Sequence, residues 1–259
     1  MNAVHHREAM SLLLDTPDDS VDLIYVDPPF GTGARQSLHG MSYEDDEEDY
    51  EEWLFVHVSR MWHVLKQTGT LYLHLDWREI CSARHACNYK FGKENFLGEI
   101  IWSYNYGGRG KHFFAAKHDN ILAFAKKKGD HVFNYDDVDR IPYKAPEMQY
   151  VGRTKEEAEK RIARGQVPTD VWDLSIVGTN SKERTGYPTQ KPLKLVERIV
   201  VASSPPGGTV LDVFAGSGTT GMAAHKHGRN FILSDTNPQA IAVMQERFKG
   251  IEVDWHVDS

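Results

Sequence analysis

A chain of 259 residues with 26% charged side chains and a mean hydropathy of -0.52 is long enough for one large α/β domain carrying an inserted lobe, and no apolar run approaches the ~20 residues that span a bilayer. Its two cysteines, Cys81 and Cys87, are too few for a disulfide framework or a zinc knuckle, and an opening decapeptide with two histidines, an arginine and a glutamate is no signal peptide; a reducing cytoplasm is the expected compartment. The net charge of -7 argues against a polyanionic partner for the chain as a whole, yet residues 105–170 hold 13 Lys and Arg against 10 Asp and Glu, whereas residues 1–104 hold 8 against 18. Local contact with nucleic acid needs a basic face, not a basic total.

In chain order, residues 8–14 have the spacing of a short amphipathic helix, and Pro17-Asp18-Asp19-Ser20 turns the chain into an apolar run, Val21 to Val26, with the character of a buried strand. Asp27-Pro28-Pro29-Phe30 ends that run, because proline lacks an N–H and restricts the residue before it. The turn brings together a carboxylate, carbonyls without competing donors and an aromatic ring at the carboxyl end of a strand, where open α/β sheets bind ligands. Taken alone, the four residues are equally compatible with an ordinary strand-ending turn.

After the Gly31-Thr32-Gly33 loop, the run Glu44 to Glu52 is acidic at every position but Tyr50. It reads as a solvated loop or helix start rather than a metal site, since consecutive acids cannot all face one ion; no metal is expected. Trp53 to Leu65 is helical, with Gly69 as its stop, and Thr70 to Leu75 is a strand ended by Asp76. A helix over Ile80 to Tyr89 follows, then strands Glu99 to Trp102 and Ile121 to Ala125, separated by the glycine-rich basic loop Asn105 to Lys117. From Lys126 to about Asp170 the pattern loses period apart from a charged helical segment, Thr154 to Arg164, as in a lobe inserted for recognition or a plain surface excursion. Trp102 and Trp172 read as core residues.

The last third opens with a helix, Leu193 to Ala202. Thr209 to Phe214 is then a strand, Ala215-Gly216-Ser217-Gly218-Thr219-Thr220 a glycine-rich turn, Gly221 to His227 a helix, and Phe231 to Ser234 a strand ended by Asp235. This is a βαβ unit whose glycines let backbone approach a ligand and whose terminal acid can accept ribose hydroxyls, which suits an adenosine. Gly216, Gly218 and Gly221 also complete a dinucleotide fingerprint, so a nicotinamide enzyme stays open on these letters. Asp212 decides between them: an acid at the strand's end repels pyrophosphate but can take the ammonium of a methionine moiety, which favours S-adenosylmethionine.

The combination of D-P-P-F, T-G-Y-P-T-Q-K-P at Thr185 to Pro192 and L-D-V-F-A-G-S-G-T-T at Leu211 to Thr220 resembles the β group of bacterial DNA amino-methyltransferases. The blocks P-D-D-S-V-D-L-I, T-G-T-L-Y-L-H-L-D, E-I-I-W-S-Y, K-H-D-N-I-L-A-F and V-P-T-D-V-W extend the resemblance along most of the chain. It implies a circularly permuted, Rossmann-like α/β fold: a mostly parallel seven-stranded sheet with one reversed strand, helices on both faces, and an inserted target-recognition lobe. The implied division is a catalytic half over residues 1–125, the recognition insertion over 126–180 and a cofactor-binding half over 181–259.

The implied reaction moves the methyl group of S-adenosyl-L-methionine to the N6 amine of adenine in a flipped-out base of double-stranded DNA, with cytosine N4 as the alternative and RNA or protein glutamine as more distant ones. Asp27 and the Pro28 carbonyl would accept the amine's N–H bonds, Pro29 would shape the turn and Phe30 would stack on the base. By the same resemblance Glu8, Asp27, Gln190, Lys191, Pro192, Asp212, Phe214, Ala215, Gly216, Ser217, Gly218, Thr219, Thr220 and Asp235 line the cofactor site, Glu8 standing where the family usually has the Asp of Gly-Asp. Arg109, Lys111 and Lys117 are the DNA phosphate candidates. A homodimer, a cognate restriction endonuclease and an association with the nucleoid of a bacterial or phage-infected cell complete the expectations.

Overall fold

The protein is described by a computed structural model that covers residues 1–29, 36–38, 41–43 and 50–257. Its elements in chain order are β1 (Ala3–His6), α1 (Ala9–Asp15), β2 (Val21–Val26), β3 (Gln36–Leu38), β4 (Met41–Tyr43), α2 (Tyr50–Val64), β5 (Leu65–Leu75), α3 (Ile80–Phe91), β6 (Phe96–Ser103), β7 (His118–Ala125), α4 (Lys155–Arg164), β8 (Val171–Asp173), α5 (Leu193–Ser203), β9 (Thr209–Asp212), α6 (Thr219–Lys226), β10 (Asn230–Asp235), α7 (Pro238–Arg247) and β11 (Asp254–His256). Strands β3 and β4 pair as a separate antiparallel hairpin.

The main sheet runs β11-β1-β10-β9-β2-β5-β7-β6-β8. All of its pairings are parallel except those of β7, which is antiparallel to both β5 and β6. The expected seven strands with one reversed are its centre, and the three-residue edge strands β8 and β11 bring the described sheet to nine. Segments that short carry no alternation for a sequence pattern to register. The N-terminal β1 lies beside the C-terminal β10, so the two ends of the chain together build one half of the sheet; this is the physical content of the permutation.

Period-two alternation divides the core into two faces. Leu23 and Tyr25 of β2, Ile121 and Ala123 of β7, and Phe231 and Leu233 of β10 pack with α5, α6 and α7. Ile24, Val26, Leu122, Phe124 and Leu211 point the other way and pack with α1, α2 and α3. Trp102 and Trp172 are buried in the first of these cores, as expected.

One expectation needs correction. Helix α2 ends at Val64 and Gly69 lies inside β5, so this glycine is not the helix stop. A Cβ there would sit 2.8 Å from Leu65 Cδ2 and 3.1 Å from the Val21 carbonyl, so glycine serves close packing at the bulge where β5 shifts register against β2. The aperiodic stretch after β7 is tied to α5: Arg198 donates two 2.7 Å hydrogen bonds to Asp139, and the Asn134 side chain donates to the carbonyls of Val201 and Ser204.

Candidate active site

Strand order reverses between the parallel neighbours β9 and β2: later strands step away from β9 on one side and from β2 on the other. Ligands of open α/β sheets bind at such a switch point, beyond the carboxyl ends of the strands. Asp27 follows β2 there, and Asp212 ends β9 beside it.

Asp27 Oδ2 is 2.6 Å from Lys191 Nζ, with side chains only 18% and 12% exposed. Asp27 Oδ1 is buried and accepts no hydrogen bond among the described residues. Burial alone would pull the Lys191 ammonium down, but the charges of Asp27 and Asp119 outweigh it and hold the group above the usual lysine value. The segment before α5 fixes Lys191. Gln190 closes it, accepting from the Thr185 N–H (2.8 Å) and hydroxyl (2.9 Å) and donating to the Glu183 carbonyl (2.7 Å). Thr189 is held at φ 59°, a left-handed conformation that a β-branched residue keeps only when its surroundings impose it. Pro192 precedes the first turn of α5, whose Leu193 N–H donates to the Glu183 carboxylate at 3.0 Å.

The glycine bend stands opposite. Gly216 (φ 49°) and Gly218 (φ 73°) are both left-handed; a Cβ on Gly216 would lie 3.1 Å from the Tyr187 ring, and one on Gly218 would lie 2.8 Å from Met244 and Phe248. The Gly216 N–H donates to Asp235 Oδ2 and the Asn237 N–H to its Oδ1, both at 2.8 Å, while burial raises this carboxyl's pKa. Ala215 is held by its N–H on the Ser234 carbonyl. Arg247, at the end of α7, binds the bend from behind through the Ser217 carbonyl (2.9 Å), the Ser217 hydroxyl (3.2 Å) and the Thr219 hydroxyl (2.9 Å). The Asp212 carboxylate accepts the Thr220 hydroxyl at 2.5 Å and the Phe214 N–H at 3.0 Å, so both its oxygens are engaged within the bend rather than turned toward a ligand ammonium. Burial pushes its pKa up to about 7 against those two hydrogen bonds.

Glu8 is the N-cap of α1, accepting from the N–H groups of Met10 and Ser11. Its Oε1 lies 3.7 Å from Nε2 of the buried His57, which packs with Trp53 against Phe214. Pro28 is buried and Pro29 half-buried, whereas Phe30 lies outside the described residues. Arg109, Lys111 and Lys117 are on the β6–β7 loop, at the same sheet edge as Asp27. In that loop Arg109 donates to Asn105, Lys117 to the Tyr106 carbonyl, and Phe113 and Phe114 are 81% and 90% exposed.

Sequence reading missed a polar row behind Asp27, buried at Tyr25 and His74 and half-buried at Asp119 and Tyr104. Tyr25, His74 and Asp119 come from β2, β5 and β7 and Tyr104 directly follows β6; they fall on the α5 side of the sheet, beside the Lys191–Asp27 pair.

A doubly wound sheet with one reversed strand, a glycine bend and acid-ended strands at its switch point is the Rossmann-like fold of S-adenosylmethionine-dependent methyltransferases. The chain belongs to the N6/N4 DNA methylase family, whose model matches residues 21–246. It is 32% identical over 237 residues to the DNA adenine methyltransferase YhdJ of Escherichia coli K12, covering 91% of this chain and 79% of that one. Its fold matches M1.HpyAVI, solved as a complex with S-adenosylmethionine, at a TM-score of 0.63 with 23% identity over 95% of this chain and all of the other. It also matches the cytosine-N4-specific PvuII DNA methyltransferase at 0.69 with 17% identity over 96% and 86%. The cofactor is S-adenosyl-L-methionine, as throughout the family.

Proposed function

We propose that the chain methylates the N6 amine of adenine within a short specific sequence of double-stranded DNA, with the base turned out of the helix to reach Asp27. One observation carries this reading: a carboxylate anchored through Oδ2 by Lys191 leaves its buried Oδ1 without a donor among the described residues. An exocyclic amine supplies the missing donor.

The residues fit the cofactor. Two left-handed glycines give a bend in which ligand can approach backbone, Asp235 keeps lone pairs beyond its two backbone bonds, and the bend faces Asp27 across the switch point. Gly216, Ser217, Gly218, Thr219 and Phe214 would hold the methionine and ribose portions, Asp235 the ribose hydroxyls, and Lys191 and Pro192 the far side. Bound there, S-adenosylmethionine supplies an electrophilic methyl group. The chain's own part is positional and electrostatic: Asp27 Oδ1 and the Pro28 carbonyl accept the two N–H bonds of the amine, favour a pyramidal nitrogen and aim its lone pair toward the bend. Phe30 stacks on the displaced base, and Arg109, Lys111 and Lys117 meet phosphates.

Incubating plasmid DNA with enzyme and cofactor and digesting it to nucleosides tests the choice of base. N6-methyladenine is expected; 4-methylcytosine alone would overturn it. Cytosine N4 remains the second reading because the same acceptor pair serves any exocyclic amine and because the fold is shared with an N4 enzyme. A filter assay comparing duplex DNA, RNA and a glutamine peptide separates the more distant alternatives, with duplex DNA the expected substrate.

We further propose the three-part division at residues 125 and 180, a homodimer, a cognate endonuclease, and a cytoplasmic enzyme that associates with the nucleoid. The free thiols of Cys81 and Cys87 suit the cytoplasm. Light scattering across protein concentration tests the dimer, and protection of methylated DNA from nuclease in the source cell's extract tests the endonuclease.

A further inference from the structure

The loop between β6 and β7 carries two side chains that the fold does not use. Phe113 and Phe114 are 81% and 90% exposed, and their rings meet each other edge to face with centroids 5.5 Å apart. An adjacent exposed pair forgoes the burial that large apolar side chains gain in a core, which marks a contact surface. The loop is built to present them. At its neck the Tyr104 N–H donates to the Lys117 carbonyl at 2.9 Å, the Lys117 ammonium donates to the Tyr106 carbonyl, and Arg109 donates to the Asn105 side chain at 2.7 Å. At its tip the chain doubles back so tightly that a Cβ on Gly110 would fall 2.1 Å from the Phe113 carbonyl oxygen.

Charge indicates what meets the rings. No Asp or Glu occurs from Tyr104 to His118, whereas Arg109, Lys111 and Lys117 make this stretch cationic in a chain of net charge -7. Exposed aromatic faces among positive charges suit a polyanion whose bases offer faces of their own. Position agrees. Strand β7 is antiparallel to both β5 and β6, so β6 runs parallel to β2 and the loop leaving its carboxyl end stands on the Asp27 side of the sheet. Three strand spacings separate β6 from β2, roughly 14 Å at about 4.8 Å each, comparable to the ~12 Å width of a major groove. A duplex that delivers a base to Asp27 is therefore within reach of the loop tip.

Resting on the reading that the chain turns a base out of duplex DNA, we propose that Phe113 and Phe114 form a wedge that enters the base stack beside the departing base. Turning a base out breaks its pair and opens the stacking contacts it made. Aromatic faces placed in the gap restore stacking, and the basic side chains around them hold the backbone while it is open. The two phenylalanines are positioning residues: they bias the equilibrium between stacked and extrahelical base, whereas Phe30 is assigned to the displaced base itself.

The test uses the full chain on a synthetic duplex of the sequence it methylates in plasmid DNA, and on the same duplex with an abasic nucleotide opposite the target. In the Phe113→Ala/Phe114→Ala double variant the thermal midpoint and cofactor Kd should stay at their wild-type values, because the rings are exposed and pack only on each other. Single-turnover methylation of the paired duplex should fall about 10- to 100-fold, the scale of a lost base–aromatic stack, and the fluorescence rise of 2-aminopurine placed at the target position should fall with it. On the abasic duplex the loss should shrink to less than about 3-fold, since no pair resists opening there. The salt slope of duplex binding should not change, because no charge is removed. An unchanged rate on the paired duplex, or an equal loss on both duplexes, would overturn the proposal; an unchanged rate together with lost self-association in light scattering would assign the rings to contact between copies. A wrong substrate reading would show separately, in the wild type itself, as plasmid DNA left unmethylated or as no 2-aminopurine rise at the target.

Discussion

Lys191 holds Asp27 by one oxygen at 2.6 Å and leaves the other, Oδ1, buried and without a donor among the described residues. Asp27→Ala should therefore abolish methyl transfer, lowering kcat by at least about 10³-fold, the scale set by losing a preorganised polar group at the reacting centre. Cofactor affinity should stay within a few-fold. Transfer of radioactive methyl and calorimetric titration of the cofactor check the two halves, and a large loss of affinity would mean Asp27 serves the cofactor instead.

Gly218 makes the opposite kind of claim, about space rather than charge. With φ 73° and with Met244 and Phe248 at 2.8 Å from any added Cβ, Gly218→Ala meets backbone strain and overpacking together. A stability loss of about 2 to 4 kcal/mol is expected, with weaker cofactor binding as the bend is displaced. Denaturant titration with and without cofactor reads both. Wild-type stability in this variant would mean that α7 moves freely away from the bend.

Arg247 holds that bend through three hydrogen bonds from 30 residues downstream, and burial lowers its pKa to about 10. Arg247→Met keeps much of the stem's volume but leaves the Ser217 carbonyl short of a donor. Cofactor KM should rise by roughly 10-fold, the equivalent of about one hydrogen bond to a charged group, while kcat at saturation changes little. A fall in kcat at unchanged KM would place Arg247 in the chemical step.

The contrast between these residues explains what sequence could convey. Strand β2, the D-P-P-F turn and the glycine bend are contiguous, and each short segment carries its own physical reason: an apolar run, a missing N–H, a left-handed φ. Tyr25, His74 and Asp119 lie in three strands, Tyr104 just past the end of a fourth, and they meet only through register, His74 opposite Ile121 and Ser103 opposite His118. A lone histidine in the run L-Y-L-H-L was the available signal, and period two from Tyr72 would have turned it to the α5 side. Glu8 shows the limit of resemblance: it holds the position of the family's acid and also caps a helix.

Asp212 gives a pH prediction. Its folded pKa is raised to about 7, above an ordinary unfolded carboxyl near 4, so the native state binds the extra proton between those values. Stability contributed by this group is present at low pH and is lost as pH rises from about 4 to 7. Asp212→Asn removes the titration. Its stability relative to wild type should therefore improve between pH 5 and pH 8, by an amount on the order of 1 to 3 kcal/mol, as read by chemical denaturation at each pH. A constant difference across that range would show that Asp212 is ionised throughout.

The basic β6–β7 loop should reveal itself through salt. Arg109 and Lys111 are exposed and Lys117 half-buried at the sheet edge that carries Asp27, and each phosphate they neutralise releases counterions. Replacing all three by alanine should weaken duplex binding and reduce the slope of log K against log salt by about 2 to 3, one for each lost contact. The loss should be similar for cognate and unrelated DNA, because phosphate contacts place the protein without reading bases. Fluorescence anisotropy over a range of salt concentrations measures the slope. A slope equal to that of wild type would mean that these side chains are merely solvated and that the DNA lies against another face.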